Sequence, residues 1–267
     1  MADTRVQRSG PRMTIVLDRP ERKNALTVEM IRTITTLIRE ASIDDATRVI
    51  VLRAAGPDFC SGIDLVESNA PKDASERTKP RTGHLQRRLA AGAHEMITAL
   101  AEAQVPIVAA VNGWAVGVGN MLALSADVVI ATPSARFWVP FVTKGFTPDS
   151  GNTWLLPRLI GVARAKEMIL RGKPIEGERA AEWGLISRCV AEDQLDTAVE
   201  EVATEFATGA TVAIGLARAL VHQNAALDLR AALRNEAIHE ELAVRSDDFK
   251  EGMRAFAQKR PPEYTGW

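Results

Sequence analysis

Three short stretches of this chain carry residue types that could do chemistry. "GFTPDSGNTW" (145–154) sets one carboxylate, Asp149, on a Pro-Asp-Ser-Gly turn shortly after the apolar run "FWVPF" (137–141). An acid held among Trp138, Phe141 and Phe146 would be shielded from water, and such surroundings can raise a carboxyl toward working pH and suit it to proton transfer. The same position also suits a plainer role, because Asp149 stands just ahead of a helix predicted over 152–160, where an N-cap contributes about 1 kcal/mol. "DFCSGIDL" (58–65) follows a buried strand, and its Gly62 lets the chain turn so that a backbone N–H faces a cavity. A simple strand-to-loop turn has the same pattern. In "VNGWAVGVGN" (111–120), Gly117 and Gly119 open an apolar helix that is predicted to run to Ala126. Small residues at a helix start leave N–H groups free for an anion or oxyanion, and they equally permit close packing of helix on sheet.

Other chemistries find little support. "GVGNML" is a Gly-x-Gly without the third glycine, and no strand ending in an acid follows about 20 residues on, so the dinucleotide fingerprint is incomplete. His84, His94, His222 and His239 are scattered without metal spacing, and no metal or separate cofactor is expected. Cys60 sits in the second stretch but has no base near it in sequence. With Cys189 it makes two cysteines, too few for a disulfide framework and without a CxxC pair for zinc. A formal net charge of −1 gives no reason to expect nucleic-acid or membrane-surface partners. The opening "MADTRVQRSGPRMTIVLD" lacks a signal-peptide core, and no apolar run approaches the roughly 18–20 residues of a membrane span. A cytoplasmic, reducing location is the expectation.

These stretches must be positioned by a scaffold, and the hydrophobic pattern outlines it. The chain has 267 residues, 46% hydrophobic, enough for a sizeable core. "RMTIVLDRP" (12–20), "RVIVLRAAG" (48–56), "PIVAAVNG" (106–113) and "DVVIAT" (127–132) read as short buried strands. "TVEMIRTITTLIREAS" (27–42) reads as a helix capped by Thr27, with Met30, Ile31, Ile34, Leu37, Ile38 and Ala41 on one face. Buried strands alternating with helices predict an α/β fold with parallel pairing. The polar segment 66–84 reads as a surface loop of the kind that shapes binding sites. Helix resumes near Leu85, with Leu89, Met96, Ile97 and Leu100 as its apolar positions. From about Leu195 onward only helical periodicity remains.

Taken in order, "RPERKNAL", "FCSGIDL", "PIVAAVNGWAVGVGNMLALSADVVIAT", "LLPRLIG", "AAEWGLI" and "EGMRAFAQKRPP" resemble the crotonase superfamily, the enoyl-CoA hydratase/isomerase family, over essentially the whole chain. The resemblance implies a spiral of ββα units over residues 1–194. It also implies a helical C-terminal region over 195–267 that mediates trimer or hexamer formation and helps complete the CoA site. It implies an acyl-CoA thioester as substrate, with coenzyme A belonging to the substrate. Two backbone N–H groups would hold the thioester oxygen, and by position they are those of Ile63 and Val118 beside Gly62 and Gly117. Arg22, Lys23 and Ala25, with Ser61, Asp64, Leu65 and Phe141, would line the ligand. Phe256 and Lys259 would meet its nucleotide end, commonly in a neighbouring subunit.

The departures from the family pattern are as informative. Hydratases of this family use two glutamates to add water, and the matching positions here are Met121 and Phe141. Two apolar side chains cannot activate a water. The stretch "FVTKGFTPDSGNTWLLPR" is similar to the Δ3,Δ2-enoyl-CoA isomerases and the ring-1,2-epoxyphenylacetyl-CoA isomerases, in which the matching Asp serves as the single acid/base. The resemblance therefore implies an isomerase that moves a C=C bond from β,γ to α,β through Asp149. Two other readings stay open: an aryl-CoA dehalogenase with Asp149 as nucleophile, which needs a partner histidine that the sequence does not supply, and an acyl-CoA-binding protein without turnover.

Overall fold

The computed structural model describes residues 3–64 and 80–267. Its scaffold is a six-stranded sheet built from β1 (Thr4–Ser9), β2 (Arg12–Leu17), β3 (Val49–Ala54), β4 (Ile107–Val111), β6 (Val128–Ala131) and β9 (Arg188–Cys189) in that spatial order. The β1–β2 pair is an antiparallel hairpin with Ser9 opposite Arg12, and the other pairs are parallel. Parallel strands are covered on both faces, which is why Val49–Leu52 of β3 and all of β4 read as apolar runs. The period of two splits each run between two cores. Ile50, Leu52, Ile107, Ala109 and Val111 face one core with Met13, Ile15 and Leu17. Val49, Val51, Val108, Ala110 and Ile130 face the other.

Helices fill both sides. On the first, α1 (Val28–Ile43) buries Met30, Ile31, Ile34, Thr35, Ile38 and Ala41, the face predicted except that Leu37 is half-buried. Its N-cap is Thr27, whose hydroxyl accepts the Met30 N–H at 3.1 Å, as predicted. The segment from α2 (His84–Leu89) passes through a π-helical turn at Ala90–His94 into α3 (Glu95–Glu102), which adds Met96 and Leu100 to the same core. On the second side lies α7 (Leu195–Thr208), with Leu195, Ala198, Val199, Val202 and Ala203 packed on the sheet. The helices that follow, α8 (Thr211–Asn224), α9 (Leu229–Ala243) and α10 (Asp247–Gln258), make the all-helical tail. Within the predicted 195–267 region, α7 is thus a structural half of the sheet core.

A second sheet holds three short strands, β5 (Trp114–Val116), β7 (Arg136–Trp138) and β8 (Ile175–Glu176), in that order. Between β5 and β6 runs α4 (Val118–Leu124), buried along its whole length. After β7 come α5 (Asn152–Arg171), broken by non-helical backbone at Gly161, and α6 (Gly177–Trp183). The alternation of strand and helix is the mixed α/β architecture that the hydrophobic pattern predicts. Among the described residues no helix is long and apolar enough to cross a membrane.

Candidate active site

Ligands of open parallel sheets gather beyond the carboxyl ends of the strands. Here β2, β3 and β4 are neighbours, so the loops leaving their C-terminal ends come together. The loops after β2 and β3 carry Arg22–Ala25 and Ser61–Asp64, and the chain that leaves β4 passes through β5 to Gly117–Val118, so three groups up to about a hundred positions apart in the chain are involved.

The first two loops are knitted by backbone and buried polar contacts. Ser61 N–H donates to the Lys23 carbonyl at 2.9 Å, and Ser61 Oγ donates to the Arg22 carbonyl at 3.4 Å. Leu26 and Ile63 form a parallel bridge in which Leu26 N–H donates to Gly62 and Asp64 N–H to Leu26, at 2.7 and 3.0 Å. That pairing uses the carbonyl of residue 62 and the amide of residue 64, so the N–H of Ile63 points the other way. Asp64 is buried and its carboxylate pairs with Arg19 at 2.7 Å, so this side chain braces the loop. Ala25 is buried, and its carbonyl also accepts from Arg19. Arg22 and Lys23 are exposed, and Lys23 Nζ stands 3.5 Å from Asp58. Leu65 lies outside the described residues, as does most of the 66–84 loop.

The hub of this corner escaped the sequence reading. Asn24 is fully buried with φ +53°, and its amide donates to the carbonyls of Ala55 and Asp58 at 2.9 and 2.7 Å. Its Oδ1 accepts the Arg19 N–H. Asparagine is among the few non-glycine residues that tolerate this backbone region, so the "KNAL" in "RPERKNAL" held a usable signal. Asp58 was missed too; its carboxylate accepts the Trp114 N–H at 3.0 Å and so ties the second loop to β5.

The third group meets the second at Cys60, which bridges Ala115 through Cys60 N–H to Trp114 and Val116 N–H to Cys60, at 2.7 and 2.9 Å. Gly117 then turns the chain into α4 with φ +57° and ψ −116°, a conformation closed to side-chain-bearing residues. Val118 is the first helical residue, so its N–H has no partner four residues back. Among the described residues, neither the Val118 N–H nor the Ile63 N–H donates a hydrogen bond. Two free donors on loops in mutual contact can hold a developing oxyanion. Burial pushes the Cys60 thiol up to about 12, which disfavours the thiolate that a nucleophile needs.

The turn that carries Asp149 packs against α4, the helix that begins at Val118. A Cβ on Gly151 would lie 3.5 Å from the Met121 methyl and 3.8 Å from Ile97, and one on Gly117 would lie 3.6 Å from the Phe141 ring. Phe141 is buried, and Phe146 meets it edge-on at 5.4 Å. The expected dry aromatic shell is only partly present. Phe146 is 49% exposed, and the Trp138 ring turns to Trp114 while its indole N–H donates to the Gly172 carbonyl. The capping reading is overturned: the N-cap of α5 is Gly151, with no side-chain cap bond. Asp149 receives Asn152 on its backbone carbonyl, from N–H at 3.1 Å and Nδ2 at 2.7 Å. Its carboxylate, half-buried, accepts only the Ser150 hydroxyl among the described residues, at 2.8 Å on Oδ1.

The described contacts do not join Phe256 or Lys259 to this corner. Both are exposed at the end of α10, Phe256 by 82%.

Comparison with known proteins places the chain in a family. The family model described as enoyl-CoA hydratase/isomerase matches residues 12–266. The chain is 37% identical over 254 residues to the 1,2-epoxyphenylacetyl-CoA isomerase of Escherichia coli K12, covering 95% of each chain. It is 31% identical over 266 residues to the 2,3-dehydroadipyl-CoA hydratase of the same organism, covering all of both. A crystal structure of an enoyl-CoA hydratase from Bacillus anthracis superposes with a TM-score of 0.89 at 30% identity, over 99% of this chain and 100% of that one. On this match over nearly the whole chain, the protein belongs to the enoyl-CoA hydratase/isomerase family.

Proposed function

We propose that this chain is an acyl-CoA isomerase that moves a C=C bond from the β,γ to the α,β position, with Asp149 as its single acid/base. The observation that carries the reading is the company Asp149 keeps. By the family resemblance, Met121 and Phe141 stand where hydratases have their two glutamates; both are buried and apolar, and Met121 lies against Gly151 on the Asp149 turn. Asp149 is the carboxylate this turn offers, and it is not used up in capping.

The chemistry needs nothing more. The α-proton of a 3-enoyl thioester is acidified by the carbonyl and by the conjugation its loss creates. Asp149 takes that proton from C2, and the electron pair spreads into a dienolate whose oxygen is held by the N–H groups of Ile63 and Val118. The proton then goes from Asp149 to C4, and the double bond settles between C2 and C3. One such N–H donor contributes about a hundred- to a thousandfold in rate, or roughly 3–4 kcal/mol. The positioned proton transfer contributes a factor of about 10²–10⁴. Lys23, with Arg22, Ala25 and Ser61, would receive the CoA portion, completed by Phe256 and Lys259 from a neighbouring copy in a trimer or hexamer.

A second reading has support from the relative named 1,2-epoxyphenylacetyl-CoA isomerase: the same base and oxyanion site acting on a ring-bearing thioester. One experiment tests both. The protein is incubated with a 3-enoyl-CoA, a 2-enoyl-CoA and a ring-epoxide acyl-CoA, and each reaction is followed by absorbance and product mass. Conjugation of the first without hydration of the second supports the double-bond isomerase, and turnover of the third alone supports the ring substrate. Binding of all three without turnover removes both.

A further inference from the structure

The Asp149 turn is over-determined in a way that simple loop closure does not require. Its backbone is pinned by Asn152 through two donors to one carbonyl. Asn152 is fully buried, and its Oδ1 accepts from Asn120 Nδ2 at 3.4 Å. Asn120 sits on α4, the helix that begins with Val118, so buried amides link the acid's backbone to the helix carrying one of the two free N–H groups. What remains free is the rotation of the Asp149 side chain, and Ser150 stops it. Ser150 is 1% exposed and held at φ +53°, a region that side-chain-bearing residues occupy at a cost and that persists where surroundings enforce it. In that conformation its hydroxyl donates to Asp149 Oδ1 at 2.8 Å.

We propose that Ser150 is a positioning residue for the acid/base: its hydroxyl occupies Asp149 Oδ1 and leaves Oδ2 as the one oxygen that carries the proton. The inference rests on the isomerase reading. A base that serves two carbons must keep the same oxygen in place while it is protonated. The Ser150 bond survives that change, because Oδ1 remains an acceptor whether the carboxyl is charged or carries a proton on Oδ2. The proton leaves C2 for Oδ2, the C2–H electron pair enters the dienolate, and Oδ2 returns the same proton to C4 with no net gain or loss. Transfer by one fixed oxygen occurs on one face of the substrate and is protected from exchange with water.

The test is Ser150→Gly, assayed with a 3-enoyl-CoA deuterated at C2. Glycine removes the hydroxyl and relieves the positive φ, so the melting temperature should hold or rise. The turnover number should fall about tenfold to a hundredfold from the lost alignment, with KM unchanged. The share of deuterium recovered at C4 should drop as the freed carboxyl exchanges with solvent. Ser150→Ala, which removes the hydroxyl but keeps the strained backbone, should show the same kinetic losses. Wild-type turnover number and label transfer in Ser150→Gly would overturn the inference, as would losses confined to Ser150→Ala, which belong to packing. If wild type needs Asp149 but not the Ser150 hydroxyl, this inference alone is lost. If wild type does not turn over 3-enoyl-CoA, or Asp149→Asn does so at full rate, the isomerase reading goes with it.

Discussion

The contact between the two loops proposed to form the oxyanion site leaves no room for a single methyl group, and Gly119→Ala measures what that contact does. A Cβ at residue 119 would lie 2.5 Å from Cys60 Sγ, 2.7 Å from Cys60 Cβ and 2.7 Å from the Cys60 carbonyl oxygen. Carbon atoms rest at about 3.5–4.0 Å, so α4 and the 60–64 loop must part by about 1 Å. Overpacking of this kind costs about 1–3 kcal/mol, which for a chain of this size lowers the melting temperature by a few degrees. The kinetic loss should be larger than the stability loss suggests, because the shift separates the Val118 N–H from the Ile63 N–H. Loss of one effective donor lowers turnover about a hundred- to a thousandfold. Removing the sulfur in Gly119→Ala/Cys60→Ala should recover only part of the rate, since the Cys60 backbone oxygen remains in the way. The assay is conjugation of a 3-enoyl-CoA by absorbance, beside a thermal melt. A Gly119→Ala protein with wild-type turnover and melting temperature would refute the idea that this packing sets the oxyanion site.

Other outcomes follow from the same geometry. Burial works against the charge of Asp127, but contacts from His222, the Arg218 guanidinium and the Ile107 N–H outweigh it and hold the carboxyl below its usual range. A depressed native pKa stabilises the fold above the unfolded value of about 3.9, and that stability is lost as pH falls through the native value. Urea titration of Asp127→Asn should therefore lose less stability than wild type between about pH 5 and pH 3. Arg218 also donates to the carbonyls of Leu100, Ala101 and Ala103, so Arg218→Met should cost about 3 kcal/mol at neutral pH. With its thiol pushed up to about 12, Cys60 should resist iodoacetamide at pH 8 in the native protein and react only after unfolding, as read by peptide mass. Lys23→Ala should raise KM for the acyl-CoA several-fold with turnover unchanged, an effect that shrinks as salt is added.

Much of this was legible because local signals and tertiary packing agree. Thr27 caps the helix that the apolar spacing predicted, and the apolar runs of β3 and β4 became doubly covered parallel strands. Gly62 and Gly117 marked the two turns that free an amide. What stayed hidden depends on partners distant in sequence. "TRVQRS" forms β1 although it is exposed beyond Thr4 and has no alternating pattern, because its register with β2 supplies the hydrogen bonds. β5, β7 and β8 have two or three residues each and exist through pairing and the Cys60 bridge. Asp149 had the spacing of a cap, but Ser150 and Gly151 both adopt positive φ, which turns the carboxylate back onto Ser150 and passes the N-cap position to Gly151. Asp64 read as a ligand-facing acid, and nothing local announced the distant Arg19 that claims it.

Asp149→Asn tests the central claim most directly. Asparagine keeps the size of the side chain and can still accept from Ser150, so the fold and the affinity for acyl-CoA should be preserved, but an amide cannot take a proton from C2. Turnover of a 3-enoyl-CoA should fall by a factor of about 10²–10⁴ with an unchanged melting temperature. A folded Asp149→Asn protein that conjugates the substrate at the wild-type rate would contradict the account.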